Sequence, residues 1–574
     1  MRNGVAISYG DIAVGAKESA VISASEKADF VDLNELKVYN LNVKNYGNPC
    51  ELYQTMLDGA QIALPKDLAS GKMGFWSKRV SDENGDYAQP IKITLSTSAL
   101  YASQGFTITF DPDNNVFASR VTINWYKGND VISTQTFYPD NAVYFCHNYV
   151  TGFDKVEFSF EQLNTPLNRL KIRSVDYGYG TVFYGDELRN VKLIQELDPI
   201  SSTVAINTCD FTLDSKSNIV YSFRQRQPLS VYFNGKLRAT TFVRNSKRKA
   251  EKLWDVQSED YIGLLDRVEF PGGIYTNKNA AELCEEVFDA AGVPYTLHSE
   301  LEGSYLSGYI PYTTCREALK QIAFATMSVV DTSNSDAVNV NKLSNEISQT
   351  VPLNRIMQGQ NFDEEETVTA VELTEHSYKP INEAMAVYEA DESGTGTDIL
   401  VKFTEPLHSL SIVNGTISKS KSTYAVITAN DGCVLTGKKY EHLTRIRRKS
   451  NPNVLSDDAE RVVAIENATL VNVRNSSAIL NNCFDWLIRT MQTNLKIVEG
   501  KHVKEGDVIR YGQKKYGTFR YGQRHPSVIT YDKEVNVGDR IKAKTQYLGE
   551  VEGRVTKESF SLSGGIIIKD AVLR

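Results

Sequence analysis

Residues 231–266 read VYFNGKLRATTFVRNSKRKAEKLWDVQSEDYIGLLD and contain the clearest hairpin signal of the chain. Asn234-Gly235 lies between two runs of alternating apolar and polar residues, and a two-residue hairpin turn needs the positive φ that Asn and Gly tolerate. KLRATTFV and LWDVQ continue the alternation, so the stretch predicts three successive strands with RNSKRKAE as the connection between the second and the third. Trp254 and Val256 then share one face, which we expect to point into a barrel.

The composition of the whole chain favours strands over helices. It has 574 residues, among them 30 Tyr and 23 Phe, with a formal net charge of -8. Aromatic and β-branched side chains fit a pleated, half-buried surface, and a chain of this length divides into roughly three to five domains. We therefore expect a mainly β, multidomain protein.

The cysteines and the start of the chain indicate where the protein is made. Its seven cysteines are widely spread and show no CxxC spacing, which favours reduced, mostly buried thiols. The first residues, MRNGVAISYGDIAVGAKESA, lack the basic start and apolar core of a secretion signal, and no apolar run of about 18 residues occurs. We expect a soluble chain made in a cytoplasm.

Changes of pattern along the chain predict its domains. Residues 1–173 contain short alternating runs such as VTINWYKGND, typical of an antiparallel sandwich, and their spacing suggests a jelly roll. A second strand-rich unit begins at about residue 174 and includes the opening stretch. Alternating strands resume after about residue 346, and SSAILNNCFDWLIRTMQ at 476–492 predicts a late helix.

A helical pattern interrupts the strands after residue 271. NKNAAELCEEVFDAAGV places its apolar residues on one face and ends at Gly292, where a C-terminal cap belongs. TTCREALKQIAFA begins with a capping-box pair, Thr314 and Glu317. These two helices predict a small α/β unit.

The motifs that carry chemistry do not predict an enzyme. GCVLTGKK at 432–439 approaches the phosphate-binding loop, but Lys439 stands where a hydroxyl should hold magnesium and a strand-like run follows, which favours a glycine-bearing hairpin turn. The seven histidines include no i, i+4 pair, and no nucleophile signature such as GxSxG occurs. We predict no catalytic residue, no metal site and no cofactor, and a triad built from distant residues stays open.

Two sets of aromatic residues are candidate binding surfaces. RYGQ occurs at 510–513 and again at 520–523, where Arg and Tyr alternate as in single-strand nucleic-acid binders, although a hairpin with matching arms is the favoured interpretation. Trp76, in the loop GKMGFWSKR, and Tyr126 are candidate rings for stacking on a sugar. Trp125 is expected to pack in the core.

Several phrases together resemble a known family. They are GFWSKRVSDENGDYAQPIKITLS, VTINWYKGND, FYPDNAVYFCHNYVTGFDKVEFSF, ELRNVKLIQELDPISSTVAINTCDFTLD, QPLSVYFNGKL and IYTNKNAAELCEEVF. The chain resembles the baseplate or tail-tip hub proteins of phages of Gram-positive bacteria, with an N-terminal discoidin-like jelly-roll domain. The resemblance covers most of the chain and consists of pattern and phrase, without catalytic residues.

The resemblance implies a domain plan of an N-terminal β-sandwich followed by tube-like β-barrel hub domains with small α/β accessory domains. The implied domains are a discoidin-like sandwich (1–173), a first tube-like barrel (174–270), an α/β accessory domain (271–345), the first part of a second tube-like domain (346–455), a helix-containing accessory region (456–533) and C-terminal strands that complete the second tube-like domain (534–574).

The resemblance also implies a structural function. A homotrimeric hub closes the distal end of the tail, adapts a six-fold tube to a three-fold tip and forms part of the genome-ejection channel. Its implied partners are the distal tail or tube protein, the tape-measure protein, tail spike or fibre proteins, DNA in transit and a host cell-surface glycan. The implied location is the distal end of the virion tail, after assembly in the host cytoplasm.

Alternatives stay open at this point. The chain could be a lectin-like adhesin that grips host glycans through residues 1–173, or the hub of a phage-derived contractile injection particle. Related tail-tip proteins carry a C-terminal peptidase or fibre-like extension, whereas this chain ends at Arg574 after SLSGGIIIKDAVLR. We therefore expect no wall-degrading activity in it.

The basic cluster of the opening stretch is the candidate subunit or tail interface. Arg244, Lys247, Arg248 and Lys249 lie within a few residues of one another in a chain of net negative charge. We expect this cluster to face an acidic patch on an adjacent subunit or tail ring, with direct DNA contact as the alternative.

Overall fold

The protein is described from a computed structural model. The structure describes residues 5–10, 20–28, 31, 33–37, 74–111, 115–177, 180–184, 187–216, 221, 223, 225–233, 236–357, 360–390, 394–454, 459–465, 469–499, 508–511, 514–518, 534–545, 547, 549–563 and 566–574. These residues are mostly in strands and form several separate sheets, which confirms the prediction of a mainly β, multidomain chain. No helix in these ranges has the length and apolar character that crossing a membrane requires.

The N-terminal part of the chain contains one strand of a later sheet, followed by the strands of a sandwich. They are β1 (Val5–Gly10), β2 (Val21–Ala24), β3 (Phe75–Trp76), β4 (Asp86–Thr109), β5 (Ala118–Lys127), β6 (Asp130–Phe137), β7 (Val143–Leu163), β8 (Lys171–Ile172) and β9 (Ser174–Tyr177), with a 3₁₀ turn at Leu33–Lys37.

The sandwich consists of a six-stranded sheet and a two-stranded ladder. The larger sheet has the order β2-β4-β7-β5-β6 with β9 also paired to β4, and the ladder joins β3 to β8. β5 alternates because its inward side chains, such as Trp125, are buried while their neighbours face outward. Phe106 and Phe158 pack against one another in the same core, with ring centroids 5.1 Å apart.

The strands after the sandwich belong to one continuous sheet, and we call them the barrel-like unit after the predicted domain. They are β10 (Gly180–Tyr184), β11 (Leu188–Glu196), β12 (Thr208–Asp214), β13 (Pro228–Phe233), β14 (Lys236–Ala250) and β15 (Leu253–Glu259). Phe233 pairs with Lys236, so β13 and β14 form the predicted hairpin, and its turn residues 234–235 lie outside the described residues. Trp254 and Val256 are buried in the unit's core, as predicted.

The strand β1 belongs to this barrel-like unit and not to the sandwich. It pairs with β10 on one side and with β13 on the other, and Gly10 lies opposite Gly180. The sandwich is therefore an insertion between two adjacent antiparallel strands. The prediction that residues 1–173 form one domain differs from the structure at this point, because β1 completes a distant sheet through long-range pairing that its own sequence does not reveal.

The next segment is a compact α/β unit. Its elements are α1 (Tyr261–Leu265), β16 (Glu269–Phe270), β17 (Gly273–Asn279), α2 (Ala280–Ala291), β18 (Tyr295–Leu297), β19 (Tyr305–Ile310), β20 (Thr313–Thr314), α3 (Cys315–Thr326), β21 (Val329–Asp331) and β22 (Val338–Asn341), with a 3₁₀ turn at Ser299–Leu301.

Both helices predicted for this unit are present with their predicted caps. α2 ends at Gly292, whose φ of 64° is the left-handed conformation that glycine adopts without strain. Thr314 accepts a hydrogen bond from the Glu317 backbone N–H at the start of α3. The apolar faces of α2 and α3 pack together in one core, which also includes Ile262 of α1.

A buried carboxyl joins the barrel-like unit to the α/β unit. Asp260 precedes α1 and accepts hydrogen bonds from the backbone N–H groups of Ile262 and Gly263. It also accepts one from the Thr332 hydroxyl at 2.5 Å, and Thr332 accepts one from Asn207 at 2.9 Å. Burial raises the pKa of Asp260 to about 7.

The remaining elements complete the chain. They are β23 (Ile347–Val351), β24 (Asn361–Glu364), β25 (Ala370–Glu389), β26 (Gly396–Lys402), β27 (Leu407–Lys421), β28 (Tyr424–Ser450), β29 (Val462–Ile465), α4 (Ser476–Leu487), β30 (Met491–Glu499), β31 (Val508–Tyr511), β32 (Lys514–Thr518), β33 (Arg540–Lys544), β34 (Glu550–Ser563) and β35 (Ile566–Leu573), with a 3₁₀ turn at Leu353–Arg355.

The C-terminal strands extend the sheet of the first barrel-like unit. β34 pairs with β11, and β35 with β30, so one thirteen-stranded sheet has a main path of eleven strands in the order β10-β1-β13-β14-β15-β12-β11-β34-β35-β30-β24. β23 joins it through β33. The long strands β25–β29 form a separate five-stranded sheet. The predicted second tube-like domain thus differs from the structure, because the C-terminal strands pair with β11 and with strands at 347–364, and the 370–450 strands have their own sheet.

Candidate functional site

The predicted basic cluster lies on a strand, not on a loop. β14 pairs with β13 as far as Phe242, and from Phe242 to Ala250 it pairs with β15, where Ala250 meets Leu253. We call residues 244–250 the basic arm. The prediction of a connecting loop is wrong, because these residues continue the strand although they break its alternation. The strand accommodates them through two shifts in register against β15, after Val243 and after Arg248.

The lysines of the basic arm lie beside an acidic partner on the neighbouring strand. Lys247 is paired in register with Asp255, and the Lys249 ammonium forms an ion pair with the same carboxylate. The hydrogen bond from Lys249 holds the pKa of Asp255 below its usual value. Asp255 also accepts a hydrogen bond from the Thr212 hydroxyl at 2.9 Å. Part of the positive charge of the arm is therefore neutralised within the chain.

The two arginines of the arm have different surroundings. The Arg248 guanidinium lies 5.2 Å from the ring centroid of Trp254 and donates a hydrogen bond to the Glu251 carbonyl at 2.7 Å. Arg244 is exposed. Burial of Asp210 raises the pKa of that carboxyl, and the positive charge of Arg244 opposes part of the rise. The basic arm thus presents separate charges on an exposed hairpin end.

Trp76 is buried, so the prediction of an exposed ring in a loop is wrong. Residues 75–76 form β3 and pair with β8, which places Lys171 opposite Trp76. The Trp76 side chain is 6% exposed, and the Lys171 ammonium lies 4.3 Å from its ring centroid. A sugar could reach this ring only after the ladder opened, and the geometry gives no support to a glycan contact here.

Tyr126 lies on the outer side of the sandwich sheet. It is half-buried, and the Lys155 ammonium from the paired strand lies 4.2 Å from its ring centroid. Its neighbour Trp125 is fully buried, which confirms the prediction that the tryptophan packs in the core. Tyr126 stays a candidate glycan contact, with one ring face covered by a cation.

A histidine pair is a feature that the sequence did not predict. His376 of β25 and His442 of β28 share a hydrogen bond between Nδ1 and Nε2 of 2.9 Å. Tyr378 stacks on His442 with a centroid distance of 4.5 Å, and burial lowers the pKa of His376. Pairing of β25 with β28 brings the two rings together. The alternation of the two runs predicted these strands but not their register. In the described ranges no three metal-ligating side chains come together.

The other motifs of the sequence lie on strands. GCVLTGKK is part of β28, with a positive φ of 68° at Gly432, and does not form a loop at the start of a helix. The first RYGQ copy begins in β31, which pairs with β32, and the second copy lies outside the described residues. Cys50 is likewise outside them, and the six described cysteines are unpaired and buried.

Comparison with known proteins gives structural similarities at low identity. The sequence matches no family model and no curated protein. A tail protein from Neisseria meningitidis MC58 is 10% identical and covers 69% of this chain and 94% of its own, with a TM-score of 0.40. The 43 kDa tail protein of prophage MuSo2 from Shewanella oneidensis is 8% identical, covers 69% of this chain and 95% of its own, and has a TM-score of 0.40.

The sandwich region has a similarity of its own. The family 32 carbohydrate-binding module of Clostridium perfringens NanJ, solved in complex with galactose, is 11% identical. It covers 30% of this chain and 98% of its own, with a TM-score of 0.20. Similarities at these identities and TM-scores assign no function to the chain.

Proposed function

We propose that the chain is a structural phage tail protein that forms the trimeric hub of a baseplate or tail tip. In this proposal three copies close the distal end of the tail tube, and each contributes two tube-like β units so that a six-fold tube meets a three-fold tip. The resemblance of the quoted sequence phrases to tail-tip hubs supports this function, and the arrangement of the sheets gives it a physical basis.

The observation that carries the proposal is the open thirteen-stranded sheet. Among the described residues its path ends at β10 and at β24, and an edge strand presents unpaired backbone N–H and C=O groups that pair readily with another chain. Head-to-tail contacts of one kind between identical subunits close into a ring when the rotation permits. Ring assembly would therefore cover edges that a monomer leaves open.

The separate sheet of long strands supports the same proposal. Its strands reach beyond their buried core, and large apolar side chains on them are exposed, with Val413 at 60% and Ile446 at 63%. Burial of these side chains against a partner would remove apolar surface from water. A neighbouring copy or a tail-tube ring is the partner that the proposal supplies.

The proposed partners follow from a position at the end of the tail tube. They are the distal tail or tube protein, the tape-measure protein, spike or fibre proteins, and DNA in transit through the channel. A chain of formal net charge -8 suits a conduit for DNA, because a strongly basic wall would bind phosphate and slow passage. The proposed location is the distal end of the virion tail, and the proposed role includes no catalysis.

A host-surface adhesin is the second candidate, favoured by the inserted sandwich. The sandwich joins the rest of the chain at the paired residues Gly10 and Gly180 and has a core of its own. A module inserted in this way can present a binding surface without disturbing the sheet that carries it. Within the hub proposal, the same module would serve host attachment through a surface glycan.

The mass of the purified protein in solution separates these functions. The chain has a mass of 64.1 kDa, so the hub proposal predicts a species of three times that mass by analytical ultracentrifugation. A protein that stays monomeric at high concentration and binds immobilised glycans would favour the adhesin.

A further inference from the structure

A pocket of about 490 Å³ opens where distant parts of the chain meet. Its walls come from the segment after β11, the segment after β22, the C-terminal half of α4 with the residues that follow it, and the strands β33 and β34. Its apolar wall is formed by Pro199, Ile200, Met327, Leu343 and Trp486, and its polar wall by Lys342, Asn345, Asn482, Asp485, Arg489, Arg540 and Arg554.

Arg554 is the most deeply buried cation of the pocket. Arg554 is only 6% exposed. Its guanidinium donates hydrogen bonds to the carbonyls of Gly538 and Ser344 at 2.7 and 2.9 Å and to the Asn345 side-chain oxygen at 3.2 Å. These acceptors are neutral, and no described carboxylate lies within ion-pair distance of it. The charge of Asp539 acts against the lowering of the Arg554 pKa, so the positive charge of Arg554 is hydrogen-bonded and only partly offset.

Arg489 is a second cation without a carboxylate partner among the described residues. Its guanidinium donates to the Asp485 backbone carbonyl at 3.2 Å and lies 5.1 Å from the Trp486 ring centroid. Burial, followed by the like charge of Arg540, lowers its pKa, and burial, followed by Arg489, lowers that of Arg554. Both groups stay charged at neutral pH because arginine does not lose its proton in proteins.

The other cations of the pocket already have partners. Arg540 pairs with Glu552 at 2.6 Å and Lys342 with Glu300 at 2.7 Å. Asp485 is the acidic residue of the described lining, and Glu552 and Glu300 neutralise two of its four cations. Arg489 and Arg554 carry the positive charge that forms no ion pair among the described residues. Like charges in a partly buried site repel one another at reduced screening, and a bound anion relieves that repulsion.

We propose that this pocket binds a carboxylate side chain of an acidic peptide segment, with an apolar neighbour of that residue held on the Ile200–Met327–Trp486 wall. Guanidinium groups bind carboxylates through paired, charge-assisted hydrogen bonds. A free inorganic anion has no apolar group that could contact this wall, so the wall favours a peptide. Asp485 at the rim disfavours a polyanion such as DNA, which needs a continuous basic track.

The test uses the full-length protein and an array of synthetic six-residue peptides. Each peptide carries Asp or Glu flanked by Leu, Val or Phe, and its matched control carries Asn or Gln at the same position. We expect acid-containing peptides to bind and their amide controls to bind roughly tenfold more weakly or not at all, which is the effect of losing a charged hydrogen-bonding group. Arg489→Gln should weaken binding of the selected peptide by a similar factor.

Two further variants make the result specific. Asp485→Asn removes the rim carboxylate and should tighten peptide binding by roughly two- to fivefold, as expected for a partly exposed charge. Arg120→Gln removes an exposed arginine on β5 of the sandwich and should leave binding unchanged. The proposal is overturned if no peptide binds in an acid-dependent way, if Arg489→Gln binds as tightly as the native protein, or if inorganic phosphate or a DNA oligonucleotide displaces the peptide at equal concentration.

Discussion

At the scale of single residues, the buried carboxyl of Asp260 controls how stability changes with pH. Burial raises its pKa from 3.8 to about 7 in the folded protein. A raised folded-state pKa means that the folded state binds more protons than the unfolded state between these values. The contribution of Asp260 to stability is fully present below its unfolded pKa and is lost as the pH rises through about 7.

The substitution Asp260→Asn tests this contribution. Asparagine keeps an oxygen for the Ile262 and Gly263 amides and cannot ionise, so the variant should lose stability less steeply between pH 3.8 and about 7. At pH 8 it should be more stable than the native protein, by an amount on the order of 2 kcal/mol. Urea denaturation at several pH values measures this, with the exposed Asp289→Asn on α2 as the control. Parallel profiles for the native and D260N proteins would contradict the assignment.

Residue positions were predictable where a local pattern decides them. Trp125, Trp254 and Val256 are buried because each stands on the inward side of an alternating strand. Trp76 was expected to be exposed, and its pairing with Lys171 of β8 buries it instead. The pocket arginines and the His376–His442 pair were not predicted, because strand register over long sequence separations brings them together.

At the scale of elements, the basic arm shows what a hairpin signal does and does not predict. The Asn-Gly dipeptide predicted the β13–β14 hairpin correctly, since its flanking strands pair from Phe233 and Lys236 outward. The extent of β14 was not predictable, because its consecutive basic residues hide the alternation. Its register against β15 also changes at two positions among these residues. The helices α2 and α3 were predicted with their caps, since capping chemistry is local.

Replacing Lys247, Arg248 and Lys249 with Ser should weaken assembly of the hub ring or its attachment to the tail. The arm is exposed, so its charges are available to an acidic neighbour, and such contacts lose strength as salt screens them. Sedimentation at low and high salt should show weaker assembly of the variant and a smaller dependence on salt.

Two controls separate charge from folding in this experiment. Lys247→Ser alone leaves the Arg248–Trp254 contact and the Lys249–Asp255 ion pair intact and should show part of the effect. The triple variant Lys78→Ser, Arg120→Ser and Lys127→Ser removes the same charge from the sandwich and should assemble normally. Normal assembly of the arm variant with altered DNA ejection would instead assign the arm to DNA contact.

At the scale of the whole molecule, the connectivity of the sheets was the least predictable feature. The mainly β, multidomain character followed from composition and alternation. The insertion of the sandwich between β1 and β10 and the pairing of β34 with β11 depend on contacts between residues 170 to 369 positions apart. The sequence of a short strand such as β1 does not indicate which strand it pairs with. The alternating pattern therefore placed β1 in the adjacent domain.

Excision of the sandwich tests its independence. Joining Gly10 to Gly180 through a short Asn-Gly turn removes residues 11–179 and leaves β1 and β10 to form a hairpin. The rest of the chain should fold and reach the same oligomeric mass, because the cores of the sandwich and the barrel-like unit share no residue. Circular dichroism and sedimentation measure this. Aggregation of the shortened chain, alongside a stable isolated sandwich, would show that the barrel-like unit depends on the insertion.

Imaging of the purified full-length protein by electron microscopy tests the central proposal most directly. A hub whose subunits close their open sheet edges around an axis predicts particles with three-fold symmetry and a central opening, formed without any other tail protein. Uniform monomers, or a closed assembly of another symmetry without an opening, would contradict the proposed hub.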